Sequence, residues 1–150
     1  MTEFGHPSRI YVDSNVFIYA VEGPPEIADP LEDLLDLFRI RAGLASTSEL
    51  TLAEVLAKVD MVRRRDYLDL IVESGAFRLH SVSRDILIET ASYRRTMGMP
   101  KLLDAIHVVT AIRSGCRIML TADLRIKVPD GISLVDADSG SLSRLIRELS

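Results

Sequence analysis

Apolar residues fall along this chain in short runs that alternate with longer amphipathic stretches, the pattern of strands and helices taken in turn. Ile10, Tyr11 and Val12 form a short apolar strand that ends on Asp13 and leads into a helix over residues 16–21. Glu22-Gly-Pro-Pro-Glu26 breaks the chain. Leu31, Leu34, Leu35, Leu37 and Phe38 then recur at helical spacing, which predicts a helix over residues 30–41, opened by Pro30 and capped by Asp29. Residues 43–46 read as a second strand, and Ser46 with Glu49 has the spacing of a capping box for the helix that follows. A helix over 63–73 ends at Gly75. Residues 77–82 alternate as a third strand, and Ser83 caps a helix over 85–96 that Met97-Gly-Met-Pro100 stops. Residues 101–114 are apolar in nearly every direction, which predicts a buried helix ended by Gly115. Residues 117–121 form a strand running into Asp123, residues 132–135 a last strand, and residues 141–149 a terminal helix. Strands separated by helices pair in parallel, so the pattern is that of an α/β fold.

Composition narrows the picture. A chain of 150 residues with 47% apolar and 27% charged residues suits one soluble domain over residues 1–150. Its apolar runs fall short of the roughly 18 residues that span a bilayer, and no basic segment leads into an apolar one at the start, so the expected location is the cytoplasm. Residues 1–8 are polar or small and are expected to fray. The single cysteine, Cys116, has no disulfide partner and reads as a small core residue. A net charge of −4 argues against a protein that coats nucleic acid by charge alone. An enzyme acting on phosphates remains open, with acids gathered at a metal centre and arginines at its rim. Fifteen of the 18 basic residues are arginine, the type suited to bidentate phosphate contact.

Candidate chemistry lies in four acids. Open α/β sheets bind ligands beyond the carboxyl ends of their strands, where Asp13 stands, although Asp13, Ser14 or Asn15 would equally cap the next helix. Asp123 repeats the arrangement on a second strand. Glu54 lies near Leu50, Ala57 and Met61 at the border of an apolar helix face, and it also has capping-box spacing from Thr51. Asp104 projects beside Val108 and Ala111, where an ionised carboxylate needs a helix N-terminus, an arginine or a metal ion beside it. A helix dipole supplies only about 0.3–1 kcal/mol, which favours a cation. His107, one turn along, makes a metal pair with Asp104 only if a third ligand joins them, and the local motif offers none. His80 reads as a strand residue with an ordinary hydrogen bond, and the arginine run at 63–65 as a solvated charged turn. Converging carboxylates repel unless divalent cations lie between them. Oxygen donors alone suit magnesium or manganese, which activate water and stabilise a leaving oxygen in phosphoryl chemistry.

Four segments, Val12-Asp-Ser-Asn15, Ser48-Glu-Leu-Thr-Leu-Ala-Glu54, Leu103-Asp-Ala-Ile-His107 and Leu120-Thr-Ala-Asp123, occur in the order and spacing of a known family. By these the chain resembles the PIN-domain ribonucleases of the VapC toxin type, nearly end to end. The resemblance implies a three-layer α/β/α sandwich around a mostly parallel sheet, Mg²⁺ or Mn²⁺ dependence, and endonucleolytic RNA cleavage leaving a 5′-phosphate and a 3′-hydroxyl. It also implies a homodimer and a cognate antitoxin protein. Carried over by residue, Asp13 and Asp104 would be the principal metal ligands, Glu54 and Asp123 would complete the site, and Asn15 and Thr121 would be accessory polar positions. Rival readings are a catalytically degenerate PIN module that only binds RNA or protein, and a phosphoacceptor-aspartate protein. The latter fits less well: a haloacid-dehalogenase-type phosphatase wants an acid where Asn15 stands, and a receiver domain wants a lysine where Thr121 stands.

Overall fold

A computed structural model of the protein describes residues 9–150, so the fraying expected of residues 1–8 lies outside the described residues. Five strands, β1 (Ile10–Val12), β2 (Ala45–Ser48), β3 (Phe77–His80), β4 (Ile118–Thr121) and β5 (Ser133–Asp136), form one sheet in the order β3-β2-β1-β4-β5. Every neighbouring pair runs parallel. Each strand is short, and burial on both faces of the sheet explains why β1 is apolar throughout rather than alternating. Ile10, Val12 and Leu120 pack into one layer, with α1 (Ser14–Glu22), α2 (Pro25–Ile40) and α7 (Ser139–Leu149) supplying Val16, Phe17, Leu31, Leu34, Phe38, Leu142 and Leu145. Tyr11 and Met119 point the other way, onto Val108 and Ala111 of α6 (Leu102–Arg113). Helix α5 (Arg84–Thr96) lies against α6 through Ile86, Ile106 and Val109. The result is the expected three-layer α/β/α sandwich.

Chain connections leave β1 for β2 on one side, while β4 joins β1 on the other. The carboxyl ends of β1 and β4 therefore flank the point where strand order reverses, the usual ligand crevice of such sheets. Asp13 and Asp123 follow those two strands.

Local signals hold where the cap chemistry is unambiguous. Ser83 accepts a hydrogen bond from the Ile86 amide at 3.2 Å and starts α5 as expected. Its replacement by alanine is expected to cost about 1 kcal/mol, lowering the melting midpoint by roughly 2–4 °C in a thermal scan. Gly115, at φ +75°, follows α6 in the left-handed conformation that suits glycine.

Four expectations are corrected. Helix α2 begins at Pro25, which takes the first helical position where no N–H is needed; Pro30 and Asp29 lie inside the helix, and Asp29 caps nothing. The Ser46–Glu49 capping box does not form, because β2 extends to Ser48 and holds Ser46 in the sheet, its Oγ 3.2 Å from His80 Nε2. Ser48 Oγ instead accepts from the Leu50 amide, at the start of α3 (Leu50–Val55). Helix α6 is not buried all round: Leu102, Leu103 and Ile112 are exposed. The helix expected over 63–73 is instead α4 (Met61–Leu68) continued by a π-helical turn, Asp69–Glu73. His80 keeps its ordinary strand hydrogen bond, and Cys116 is buried in the core beside Tyr11 and Met119. Among the described residues no helix is long and apolar enough to cross a membrane.

Candidate active site

Asp13 serves both readings of its position. It is the N-cap of α1, its Oδ1 accepting from the Ser14 amide at 2.8 Å, and its Oδ2 accepts from Thr121 Oγ1 at 2.9 Å. Capping and the β4 hydroxyl together fix a carboxylate that is only 4% exposed. Thr121 Oγ1 accepts in turn from the Asp123 amide at 3.0 Å, and Asn15 Oδ1 accepts from the Ala122 amide at 3.0 Å. Asn15 and Thr121 thus tie the first turn of α1 to the end of β4 and hold Asp13 between them.

Asp104 stands in the first turn of α6, after Lys101 at the N-cap position. Burial pushes its pKa up from the ordinary carboxylate value, and the charges of Asp13 and Asp123 add to the effect, while Lys101 and His107 oppose it. Asp123 is held the other way. Both its oxygens meet Arg125, Oδ1 at 2.9 Å from Nε and Oδ2 at 3.3 Å from a terminal nitrogen, and this guanidinium lowers the Asp123 pKa. Arg125 is itself exposed, so the clamp lies in high dielectric and contributes little to stability.

Glu54, on α3, is reached through a histidine. His107 Nε2 lies 2.6 Å from Glu54 Oε1 and 3.8 Å from Asp13 Oδ1, and Nδ1 lies 2.6 Å from the Tyr11 hydroxyl. Tyr11 and His107 are both buried, and burial, reinforced by the Asp13 charge, raises the Tyr11 pKa well above its usual value, so the phenol keeps its proton. Both ring nitrogens are engaged: Tyr11 donates to Nδ1, and Nε2–H donates to Glu54. The Asp104–His107 metal pair is thereby set aside, since both ring nitrogens are occupied. Sequence reading missed Tyr11 and His107 as a pair. No spacing along the chain signals the pair; it forms because Tyr11 points to the α6 side of the sheet, where His107 lies.

All four acids therefore share one neighbourhood at the carboxyl edge of β1 and β4, Asp104 feeling Asp13 and Asp123, and His107 linking Asp13 to Glu54. In the side-chain arrangement described, no three His, Cys, Asp or Glu residues converge closely enough to hold a metal ion, because Glu54 is turned to His107 and Asp123 to Arg125. The donors fit a hard divalent cation in kind, with Asp104 the strongest indication: a half-buried carboxylate pressed by two others and taking no hydrogen bond from the described residues.

A family model for the PIN domain matches residues 10–132. No curated protein sequence matches the chain. Among solved structures, the fold is similar to a chain in the crystal structure of VapBC2 from Rickettsia felis bound to a DNA fragment from their promoter. The TM-score is 0.60 at 17% identity, covering 85% of this chain and 98% of that one, which is a likeness of fold. The matched span contains β1 to β4 and all four acids, and the chain belongs to the PIN-domain family.

Proposed function

We propose that this protein is a divalent-metal-dependent endoribonuclease and the toxin of a toxin–antitoxin pair, with residues 1–150 acting as one domain. PIN domains are generally nucleases, and the similar fold in a VapBC complex favours an antitoxin protein as partner. The observation that carries the reading is Asp104: a carboxylate placed against Asp13 and Asp123 without a hydrogen bond is destabilising as it stands, and is suited to a cation.

In this reading Asp13 and Asp104 hold Mg²⁺ or Mn²⁺, and Glu54 and Asp123 complete the site directly or through water. The cation, when bound, supplies activation of the attacking water and charge stabilisation at the leaving oxygen. The protein's own residues do the positioning. Thr121 and the α1 amides fix the Asp13 oxygens, His107 holds Glu54 in a single orientation, and Asp123 exchanges Arg125 for the site. The working assembly is a homodimer.

The test is cleavage of mixed tRNA and rRNA fragments by pure protein in Mg²⁺, Mn²⁺ or EDTA, beside Asp13→Asn. Metal-dependent cutting that disappears in the variant supports the reading, and equal activity in both proteins overturns it. Metal and RNA binding without cleavage would favour the degenerate binding module.

A further inference from the structure

A cavity of about 350 Å³ opens beside Asp104 and Asp123, bounded by Gly98, Met99, Pro100 and Lys101 on one side and by Arg125 and Lys127 on the other. Its volume falls in the ~300–1,000 Å³ range of small-ligand sites. Its charge departs from that of the molecule. The chain carries a net charge of −4 and only three lysines, yet two of those lysines stand at this cavity. Neither Lys101 nor Lys127 pairs with a carboxylate among the described residues; Lys127 Nζ donates only to the Met97 carbonyl, at 3.2 Å. Both side chains are exposed.

The wall that carries Lys101 is strained. Gly98 and Met99 follow one another in the left-handed region, at φ +78° and +60°, and Met99 is the one non-glycine residue with positive φ among those described. Such a conformation costs on the order of 1–2 kcal/mol for a residue with a Cβ. It leaves the Met99 side chain 62% exposed at the cavity, with Pro100 beside it. A polarisable thioether and a flat ring form an apolar stretch of a cavity that the two lysines also line.

We propose that this cavity is the seat of the nucleotide next to the scissile bond: Lys101 and Lys127 take backbone phosphates of single-stranded RNA, and the base lies against Met99 and Pro100. The inference rests on the nuclease reading, since it takes the acids that line the cavity to be where the bond is cut. It supplies what the overall acidic balance lacks, a local path on which polyanionic substrate approaches those acids. Lysines act here as point charges on phosphate, and a thioether wall accepts any base. The seat therefore contributes affinity and register more than base identity.

The test separates this proposal from the nuclease reading by measuring binding where nothing is cut. A fluorescent random-sequence ten-nucleotide RNA pool is titrated with wild type in EDTA, then with Lys101→Met/Lys127→Met, Met99→Gly and, as a control, Lys58→Met. The double variant is expected to bind about tenfold or more weakly, with the slope of log affinity against log salt shallower by ~1.4, about 0.7 for each phosphate that is no longer neutralised. Met99→Gly keeps the backbone conformation without the side chain and is expected to weaken binding about threefold. Lys58→Met is expected to change nothing. A merely structural lysine would not alter the salt slope, and Lys127→Arg, which keeps the charge, is expected to retain most of the wild-type slope. Equal affinity and slope in wild type and double variant, or no RNA binding by wild type, would overturn the proposal. Lysine-dependent binding by a protein that cuts no RNA in any metal would sink the nuclease reading and overturn the placing of this seat beside a scissile bond, leaving only an RNA-binding cavity.

Discussion

Asp104→Asn is expected to yield a protein that is more stable without metal yet cleaves RNA on the order of 10³-fold more slowly, a loss of ~4 kcal/mol in transition-state stabilisation. The two effects have one cause. Asp104 is half-buried beside Asp13 and Asp123, and its raised pKa means that the folded protein holds this proton more tightly than the unfolded chain does. An acid of that kind destabilises the fold as pH climbs: the wild type in EDTA should lose stability from below the ordinary carboxylate value of 3.8 up through the raised folded-state value. Asparagine cannot ionise, so the variant should lack that component of the pH profile. Partial solvent exposure limits the gain to about 1 kcal/mol. Added Mg²⁺ should then invert the order, since a cation that binds only the folded wild type stabilises it by about 2.7 kcal/mol at a hundred times its dissociation constant. Urea unfolding across pH in EDTA, repeated with Mg²⁺, reads all of this. A variant no more stable in EDTA and equally stabilised by Mg²⁺ would remove Asp104 from the metal site.

Such a trade of stability for function also explains why the acids stand out in the amino-acid sequence itself. Asp104 breaks an otherwise apolar helix pattern, and Asp13 and Asp123 each end an apolar run; local pattern opposed by a costly residue marks a site. Elements with a strong period and unambiguous stops, such as α5 and α6, are legible for the same reason, since short-range chemistry decides them. Where two local solutions compete, tertiary pairing chooses. Pro25 and Pro30 could each open α2, and the apolar stripe starting at Leu31 points to the wrong one. Ser46 offers a cap, but pairing with β3 draws it into the sheet and leaves Ser48 to make the cap-like bond. The exposed side of α6 is hidden because apolar content does not say which faces have neighbours. Least legible are contacts between distant segments. Tyr11, Glu54 and His107 meet only after β1, α3 and α6 are assembled, and no spacing along the chain brings them together.

That triad carries the other large expected effect. His107→Ala should destabilise the protein by about 3 kcal/mol, a fall of roughly 6–12 °C in the melting midpoint. The ring is 1% exposed, so deleting it leaves a cavity in the layer between the sheet and α6. It also strips the buried Tyr11 hydroxyl of its acceptor, at a cost of about 1–3 kcal/mol. Glu54 contributes less, because it is partly exposed and can turn to water. Tyr11→Phe removes one hydrogen bond but keeps the ring, and should cost nearer 1 kcal/mol. If hydroxyl and imidazole depend on one another, the penalties cannot add: with His107 already gone, losing the hydroxyl no longer removes the bond it donated to the ring. The double variant should therefore be no less stable than His107→Ala, leaving a coupling of about 1 kcal/mol or more in a double-mutant cycle. Urea denaturation of the four proteins gives the cycle directly. Strict additivity would mean that the 2.6 Å contact between Tyr11 and His107 contributes nothing to the fold.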